Sequence, residues 1–569
     1  MRADERGDAI ADLDVVVVGA GFSGLHALHR MRGLGLATRV FEAGGGVGGT
    51  WFWNRYPGAR CDVESWDYSY SFDPELDQEW EWSERYPAQP EIRAYLDHVA
   101  DRYRLRDGIT LDTRVTSAHF DDGTGLWRVR TDRGHDVTAR YVVMATGCLS
   151  AARIPDFRGA ERFRGRTYHT GQWPEDGVDF RGSHVAVIGT GSSGVQAIPL
   201  IAEQATSVTV FQRTATFSVP ARNRALSPQE QRRIKETYPE RRRLTRDSPT
   251  GTTVVRGDRS AIEVSPEERR VAFEQRWEHG GSGLPAAFDD VLLNPRSNDA
   301  AAEFVRSKIR EIVEDPQVAE RLCPQGVPIG AKRLCVDTGY YATYNAEHVE
   351  LVDVRENPIE EITAEAVRTS ARTHPCDAIV FATGYDAMTG ALARIDIRGR
   401  NGLSLREKWS AGPVTYLGLA TAGFPNLFVV AGPGSPSVLT NVVVSIEHHV
   451  EWLGELLTRV ESGGIRHVEA TEEAEARWVE HVNELAVRTL YPQANSWYLG
   501  ANVPGKPQVF MPYPGGLVAY RETCARVAER DYEGFTLTPA PVGRTCADSA
   551  APLKEALPTT AGGERGGTR

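Results

Sequence analysis

Residues 14–43 read DVVVV-GAGFSG-LHALHRMRGLG-LATRVFEA, and residues 184–213 read HVAVI-GTGSSG-VQAIPLIAEQA-TSVTVFQR. Each is an apolar run, a glycine turn, an apolar stretch at helical spacing and a second apolar run, which is a βαβ unit. Gly19, Gly21 and Gly24 in the first unit, and Gly189, Gly191 and Gly194 in the second, follow the Gly-x-Gly-x-x-Gly pattern. The first glycine makes the tight turn, the second lets a pyrophosphate approach the backbone, and the third permits close helix–strand packing. Helix N-terminal amides then hold the phosphates. Two such units predict an α/β fold with two doubly wound, Rossmann-like dinucleotide-binding domains.

The ends of the second strands distinguish the two sites. Glu42 stands 23 residues after Gly19 and suits the two hydroxyls of an adenosine ribose. The same offset from Gly189 reaches Gln212, followed by Arg213 and Thr214. A carboxylate there would repel a 2′-phosphate, whereas an arginine and a hydroxyl bind one. The first site therefore prefers a ribose without phosphate, and the second prefers NADP. Two nucleotide sites on one chain suggest a flavoprotein in which NADPH reduces a bound FAD. Ala145-Thr146-Gly147 and Ala382-Thr383-Gly384 each end an apolar run, where small residues let the backbone come close to a cofactor.

Outward from these units, residues 12–150 are expected to form the first part of an FAD domain and 151–226 the first part of an NADP domain. Residues 228–247 and 265–281 are charge-dense with apolar positions at helical spacing, so 227–328 is expected to be a helical insertion. The basic run 241–243 reads as a solvated helix face. Strand patterns return at 350–354 and 378–382, which places 329–384 in the NADP domain again. A strand at 426–430 and a helix at 442–459 belong to the second FAD part, 385–539. The first dozen residues read as loose, and 540–569, rich in Ala, Gly, Pro, Thr and Ser, as a disordered tail.

Composition narrows the class. Of 569 residues 41% are hydrophobic and 25% charged, an ordinary globular balance. The net charge of −12 argues against nucleic acid or an anionic membrane as the main partner. Apolar runs such as 15–18 and 427–431 fall far short of a membrane span. The N-terminal residues are charged and lack the apolar stretch of a secretory signal. The seven cysteines are scattered, with no CxxC, which excludes a disulfide scaffold and a clustered metal site. That usage fits a reduced cytosol, so a cytoplasmic location is expected.

Three further stretches are more specific. Residues 163–174, FRGRTYHTGQWP, have the pattern FxGxxxHxxxWP just before the second βαβ unit. They resemble the fingerprint of the class B flavoprotein monooxygenases of Baeyer–Villiger type. Gly48-Gly49-x-Trp51-x4-Tyr56-Pro57-Gly58-x3-Asp62 resembles that family's second signature, and SWYLGANVPGKPQVF (496–510) its C-terminal loop. GPGSPSVLTN (432–441) is similar to the longer active-site loop of the branch containing phenylacetone and steroid monooxygenases. The resemblance covers about residues 12–535. It implies an FAD domain split around an NADP domain with a helical insertion. It also implies a reaction that uses NADPH and O2 to insert one oxygen atom beside a ketone carbonyl through a C4a-peroxyflavin. The product is an ester or lactone, and the other oxygen leaves as water.

Such chemistry needs a fixed cation near the flavin, first for the anionic peroxide and then for the tetrahedral adduct, and arginine suits because it never deprotonates. The resemblance assigns that role to Arg333, its orientation to Asp62, and contact with the NADP phosphate to Lys332. Trp497 is implied to reach the nicotinamide side. Gly49, Thr50, Trp51, Asp62, Tyr68, Ser192, Ser193 and Arg333 are also expected among the cofactor-binding residues. The ketone pocket is expected from Ser437, Val438 and Leu439 with Val63, Gln89, Pro90, Cys148 and Leu149, Cys148 serving as a small apolar wall. His169 invites a general-base role, but the family places it in the linker between domains, where a structural or hinge role fits better. An N-hydroxylating or S-oxidising flavin monooxygenase is the main alternative. A disulfide oxidoreductase and a non-catalytic NADP sensor are others, the former lacking its cysteine pair here. Which ketone is oxidised stays open, as does the oligomeric state, a monomer being compatible with both.

Overall fold

The computed structural model describes residues 11–540. The loose start and the tail expected at the two ends lie outside these residues, apart from their inner edges. Val15–Val17 are fully buried, as in a parallel strand covered on both faces. The strand Leu13–Val18 pairs in parallel with Thr38–Phe41 on one side and Asp136–Met144 on the other. Antiparallel strands Leu126–Thr131 and Val115–Asp121 extend the sheet. Asp396–Arg398 then pairs with Val115–Asp121, and Leu427–Val429 pairs with the end of Asp136–Met144. Strands from residues 396–398 and 427–429 thus complete the sheet that the first βαβ unit begins.

The second sheet is wholly parallel, in the order Val349–Asp353, Ser207–Gln212, His184–Ile188, Ala378–Phe381, Arg166–His169. Its strands come from both sides of a helical segment, Pro228–Arg246, Pro266–His279, Pro295–Ile312 and Pro316–Leu322. A short parallel pair, Ser218–Pro220 with Cys335–Asp337, closes the base of that segment. Ser227 with Glu230, and Ser265 with Glu268, form capping boxes, and each of the four helices has proline in its first turn.

The expected strands at 350–354 and 378–382 appear within a residue of their positions, and the helix Val442–Ser462 runs one turn further than expected. The strand expected at 426–430 is shorter, Leu427–Val429. Asn426 adopts φ +58° and its side-chain amide holds Arg466 O and Val468 N, so the chain turns there while its carbonyl still accepts from Val142 N at 3.0 Å.

The basic run corrects one expectation. Arg242 is not solvated: it is buried and pairs with the buried Asp77 at 2.5 Å. It also donates to Ser69 Oγ at 2.7 Å and Tyr70 O at 2.9 Å. Ile234, Tyr238 and Arg242 lie four residues apart on one stripe, so the arginine occupies a core position of its helix. It docks the insertion onto the first sheet's unit. Among the described residues no helix is long and apolar enough to cross a membrane, and no His/Cys/Asp/Glu group is arranged for a metal.

Candidate active site

At the first fingerprint the backbone is packed too tightly for side chains. A Cβ on Gly19 would lie 2.6 Å from Ala145 O, and one on Gly24 1.8 Å from Gly19 O. The strand-ending Ala145 is therefore the neighbour that demands the first glycine. Gly21 faces Gly49, bringing the second signature against the turn. Glu42 is buried and accepts from Ala20 N at 2.6 Å and Gly44 N at 2.7 Å. Burial pushes its carboxyl above the ordinary range while these amides pull it back. Two amides leave about half of a carboxylate's acceptor capacity for ribose hydroxyls. Trp51 and Tyr68 are buried together, the indole donating to the phenol at 3.2 Å, while Thr50 is exposed at the start of its short helix.

The second fingerprint repeats the turn but leaves it open. A Cβ on Gly191 would meet nothing within 4 Å, at the N-terminus of the helix Ser192–Ala202. Ser192 is exposed there, and Ser193 and Thr214 are half-buried. Lys332 has its pKa lowered, first by burial and then by the charge of Arg213. Neither cation has a carboxylate partner among the described residues. Two converging cations with no anion between them suit a phosphate.

Between the clefts lies Arg333. Its Nε and Nη2 each donate to one oxygen of Asp62 at 2.7 Å, and its Nη1 donates to Val438 O at 2.8 Å. Burial opposes the charge on Asp62, but the guanidinium outweighs it and holds the carboxyl below its usual range. The pair in turn holds Arg333 protonated at every ordinary pH. The side chains of Arg333 and Asp62 are still 31% and 23% exposed, so the cation is fixed yet reachable. The segment carrying Asp62 is itself anchored to the helix of the second fingerprint. Tyr56 Oη donates to Gln196 Oε1 at 2.8 Å, and Gln196 Nε2 donates to Arg60 O at 3.0 Å.

Beside Arg333 an apolar cluster gathers Cys148, Leu149, Val438, Leu439 and Trp497 from three distant segments. It also holds Met388, Tyr491, Tyr498, Phe510 and Met511, which sequence reasoning missed. Tyr498 and Phe510 lie inside the loop at 496–510, and Met388 follows the second Ala-Thr-Gly. Met388 N donates to Cys148 O at 2.7 Å, so the two Ala-Thr-Gly ends meet. The structure puts other expected pocket residues elsewhere. Val63 packs in the large core with Trp51 and Tyr68, Gln89 spends its amide on Trp51 O, and Pro90 is exposed. Ser437 is fully buried at φ +31°, within the turn Ser437–Leu439.

His169 ends the strand Arg166–His169 and is buried. Its Nδ1 accepts from Gly171 N at 2.9 Å, which puts the proton on Nε2, 3.4 Å from Thr383 Oγ1. Burial lowers its pKa, which favours the neutral ring. This histidine knits the linker to the strand Ala378–Phe381. The six described cysteines are all unpaired.

Two dinucleotide-type clefts that meet at a fixed cation define an oxidoreductase of the two-dinucleotide plan. Residues 16–276 match the family described as pyridine nucleotide-disulphide oxidoreductase. A Baeyer–Villiger monooxygenase of Pseudooceanicola batsensis is 44% identical over 92% of this chain and 96% of its own length. A phenazine N-monooxygenase of Lysobacter antibioticus is also 44% identical, over 92% of this chain and 97% of its own. A solved structure of oxidised steroid monooxygenase bound to NADP superposes with a TM-score of 0.89 at 53% identity, covering 93% of this chain and all of that one. The chain belongs to the Baeyer–Villiger flavoprotein monooxygenases.

Proposed function

We infer that the first cleft holds FAD and the second NADP, and that the protein uses NADPH and O2 to insert one oxygen atom beside a ketone carbonyl. Ketone, O2, NADPH and a proton give ester or lactone, NADP+ and water. The observation that carries this is Arg333, held by both oxygens of Asp62 between the two clefts and beside an apolar cluster. Bound FAD supplies the acceptance of hydride from NADPH and the activation of O2. Arg333 has five N–H donors, of which three are engaged. The remaining two, on Nη1 and Nη2, are available to stabilise negative charge that develops on the attacked carbonyl oxygen. Asp62 orients the guanidinium. The aliphatic and aromatic wall suits an apolar ketone and keeps water away from the reacting atoms.

Residues 12–150 and 385–539 are read as the FAD unit, 151–226 and 329–384 as the NADP unit, and 227–328 as the insertion. The mixed first sheet and the parallel second sheet, each assembled from both sides of the other unit or of the insertion, support this division. The scattered cysteines support a cytoplasmic location. Arg213 and Lys332 are assigned to the 2′-phosphate. Arg213→Ala should raise the KM for NADPH by roughly 10- to 100-fold, the worth of one charge-assisted contact, and leave the KM for NADH nearly unchanged. Equal shifts for both coenzymes would show that Arg213 does not read the phosphate.

One relative, the phenazine N-monooxygenase, favours a second reading, N-oxidation by the same cofactors. The two differ in what they ask of Arg333, because electrophilic oxygen transfer to nitrogen builds no oxyanion. NADPH oxidation with cyclic, aryl and steroid ketones, and with phenazine, followed by mass spectrometry, separates them. Ketones should gain one oxygen as esters or lactones. Turnover of phenazine to its N-oxide with no ketone product would transfer the assignment to N-oxidation.

A further inference from the structure

We propose that Asn441 is a positioning residue that holds the Val438 carbonyl, and through it the plane of the Arg333 guanidinium. This rests on the reading of Arg333 given above. Two parallel bonds to Asp62 fix one edge of the guanidinium but leave it free to pivot about that edge. The bond from Nη1 to Val438 O is the third point that sets the plane. Val438 sits in the turn Ser437–Leu439, whose first residue has a backbone angle that a side-chain-bearing residue adopts only when its surroundings enforce it.

Thr440 closes the turn from within, its N–H and Oγ1 donating to Ser437 O at 3.3 and 3.2 Å, and the turn is anchored to the rest of the molecule at the next residue, Asn441. Asn441 is 1% exposed, and its polar groups reach three parts of the molecule. Oδ1 accepts from Val443 N at 3.2 Å and caps the helix Val442–Ser462. The backbone N–H donates to Thr250 O at 2.8 Å, on the insertion. Nδ2 donates to Asp67 O at 2.6 Å. Asp67 is buried, and its carboxylate accepts from Thr253 N at 3.3 Å and Thr253 Oγ1 at 3.2 Å. The path therefore closes on itself. It runs from Arg333 to Asp62, along the backbone to Asp67, across to Asn441, back along the turn to Val438, and returns to Arg333. One short segment, residues 62–67, holds the guanidinium directly by its first residue and indirectly by its last. The same path ties the insertion to the turn, so the insertion contributes to the geometry of the cation without touching it.

The test uses the holoenzyme with Asn441→Ser and Asn441→Asp. Both keep an oxygen to cap the helix and both lose the Nδ2 donor. Three quantities are read: hydrogen exchange across residues 435–445, the share of oxidised NADPH that ends as ester and not as hydrogen peroxide, and the rate of anaerobic flavin reduction. Exchange at 437–441 should quicken by about tenfold, the worth of one buried hydrogen bond. The ester share should fall by roughly 10-fold, less than the ~10²-fold that an ångström of misplacement costs. Reduction should stay at the parent rate. A parent ester share in both variants, or loss of reduction in step with oxygenation, overturns the proposal. Arg333→Ala measured alongside separates the two ideas. If it keeps the parent ester share, the reading of Arg333 fails. If it loses that share while both Asn441 variants keep it, only the role of Asn441 fails.

Discussion

Arg333→Ala should bind FAD, accept hydride from NADPH at close to the parent rate, and lose oxygenation by roughly two to three orders of magnitude. Hydride transfer to the flavin asks little of a cation beside the ketone site. Oxygen insertion asks much, because negative charge appears on the carbonyl oxygen in a water-poor pocket, where a preorganised donor is worth about 3–4 kcal/mol. Without that charge the activated oxygen should be lost as hydrogen peroxide, so NADPH consumption should continue while ester or lactone formation stops. Lysine at this position should restore little, since an ammonium cannot keep both oxygens of Asp62 and Val438 O in one plane. Asp62→Ala should push the same way but less far, because it frees the guanidinium without removing its charge. Stopped-flow reduction without oxygen, followed by product and peroxide analysis in air, reads both halves of the cycle. Ester formation by Arg333→Ala at the parent rate would remove Arg333 from the chemistry.

The second large effect is on stability. Arg242→Ala should lower the thermal midpoint by several degrees, through a loss of about 3–5 kcal/mol. Arg242 and Asp77 are each 7% exposed at the side chain, and the guanidinium also satisfies Ser69 and Tyr70. Removing it leaves a buried carboxylate with no cation and a buried carbonyl with no donor, and both costs fall on the folded state. Asp77→Ala should be about as damaging, since it strands the arginine. The double variant Arg242→Met with Asp77→Leu should regain most of the loss, because an apolar pair of similar volume carries no desolvation penalty. Because the chain has several units, the midpoint is compared at one scan rate instead of converted to a single unfolding free energy. Unchanged melting in both single variants would mean that the pair is open to water in solution and does not dock the insertion.

Both βαβ units were legible in the sequence because everything that makes them is local. The apolar run, the glycine spacing and the offset to Glu42 or Arg213 all lie within about thirty residues, and the length of one helix sets that offset. Two helices of the insertion, at 228–247 and 265–281, were legible for the same reason, whereas Pro295–Ile312 and Pro316–Leu322 were not singled out. The family resemblance then singled out Arg333 and Asp62, which no local pattern distinguishes from a surface pair. Their meeting belongs to the tertiary structure alone: they are 271 residues apart, and the Val438 carbonyl that completes the site is 105 residues from Arg333. Tyr491 and Tyr498 join the apolar cluster on single helical turns and Met388 on a loop, segments too short for a period to reveal side-chain direction. Val63 and Gln89 were expected in the pocket; Val63 packs with Trp51 and Tyr68 and Gln89 donates to Trp51 O, contacts that their positions in the sequence do not encode. Arg242 shows the converse. Its i, i+4, i+8 register with Ile234 and Tyr238 marked an inward position. Charge alone reads as solvent-facing, and only the arrival of Asp77 from a segment 165 residues away makes burial of that charge affordable.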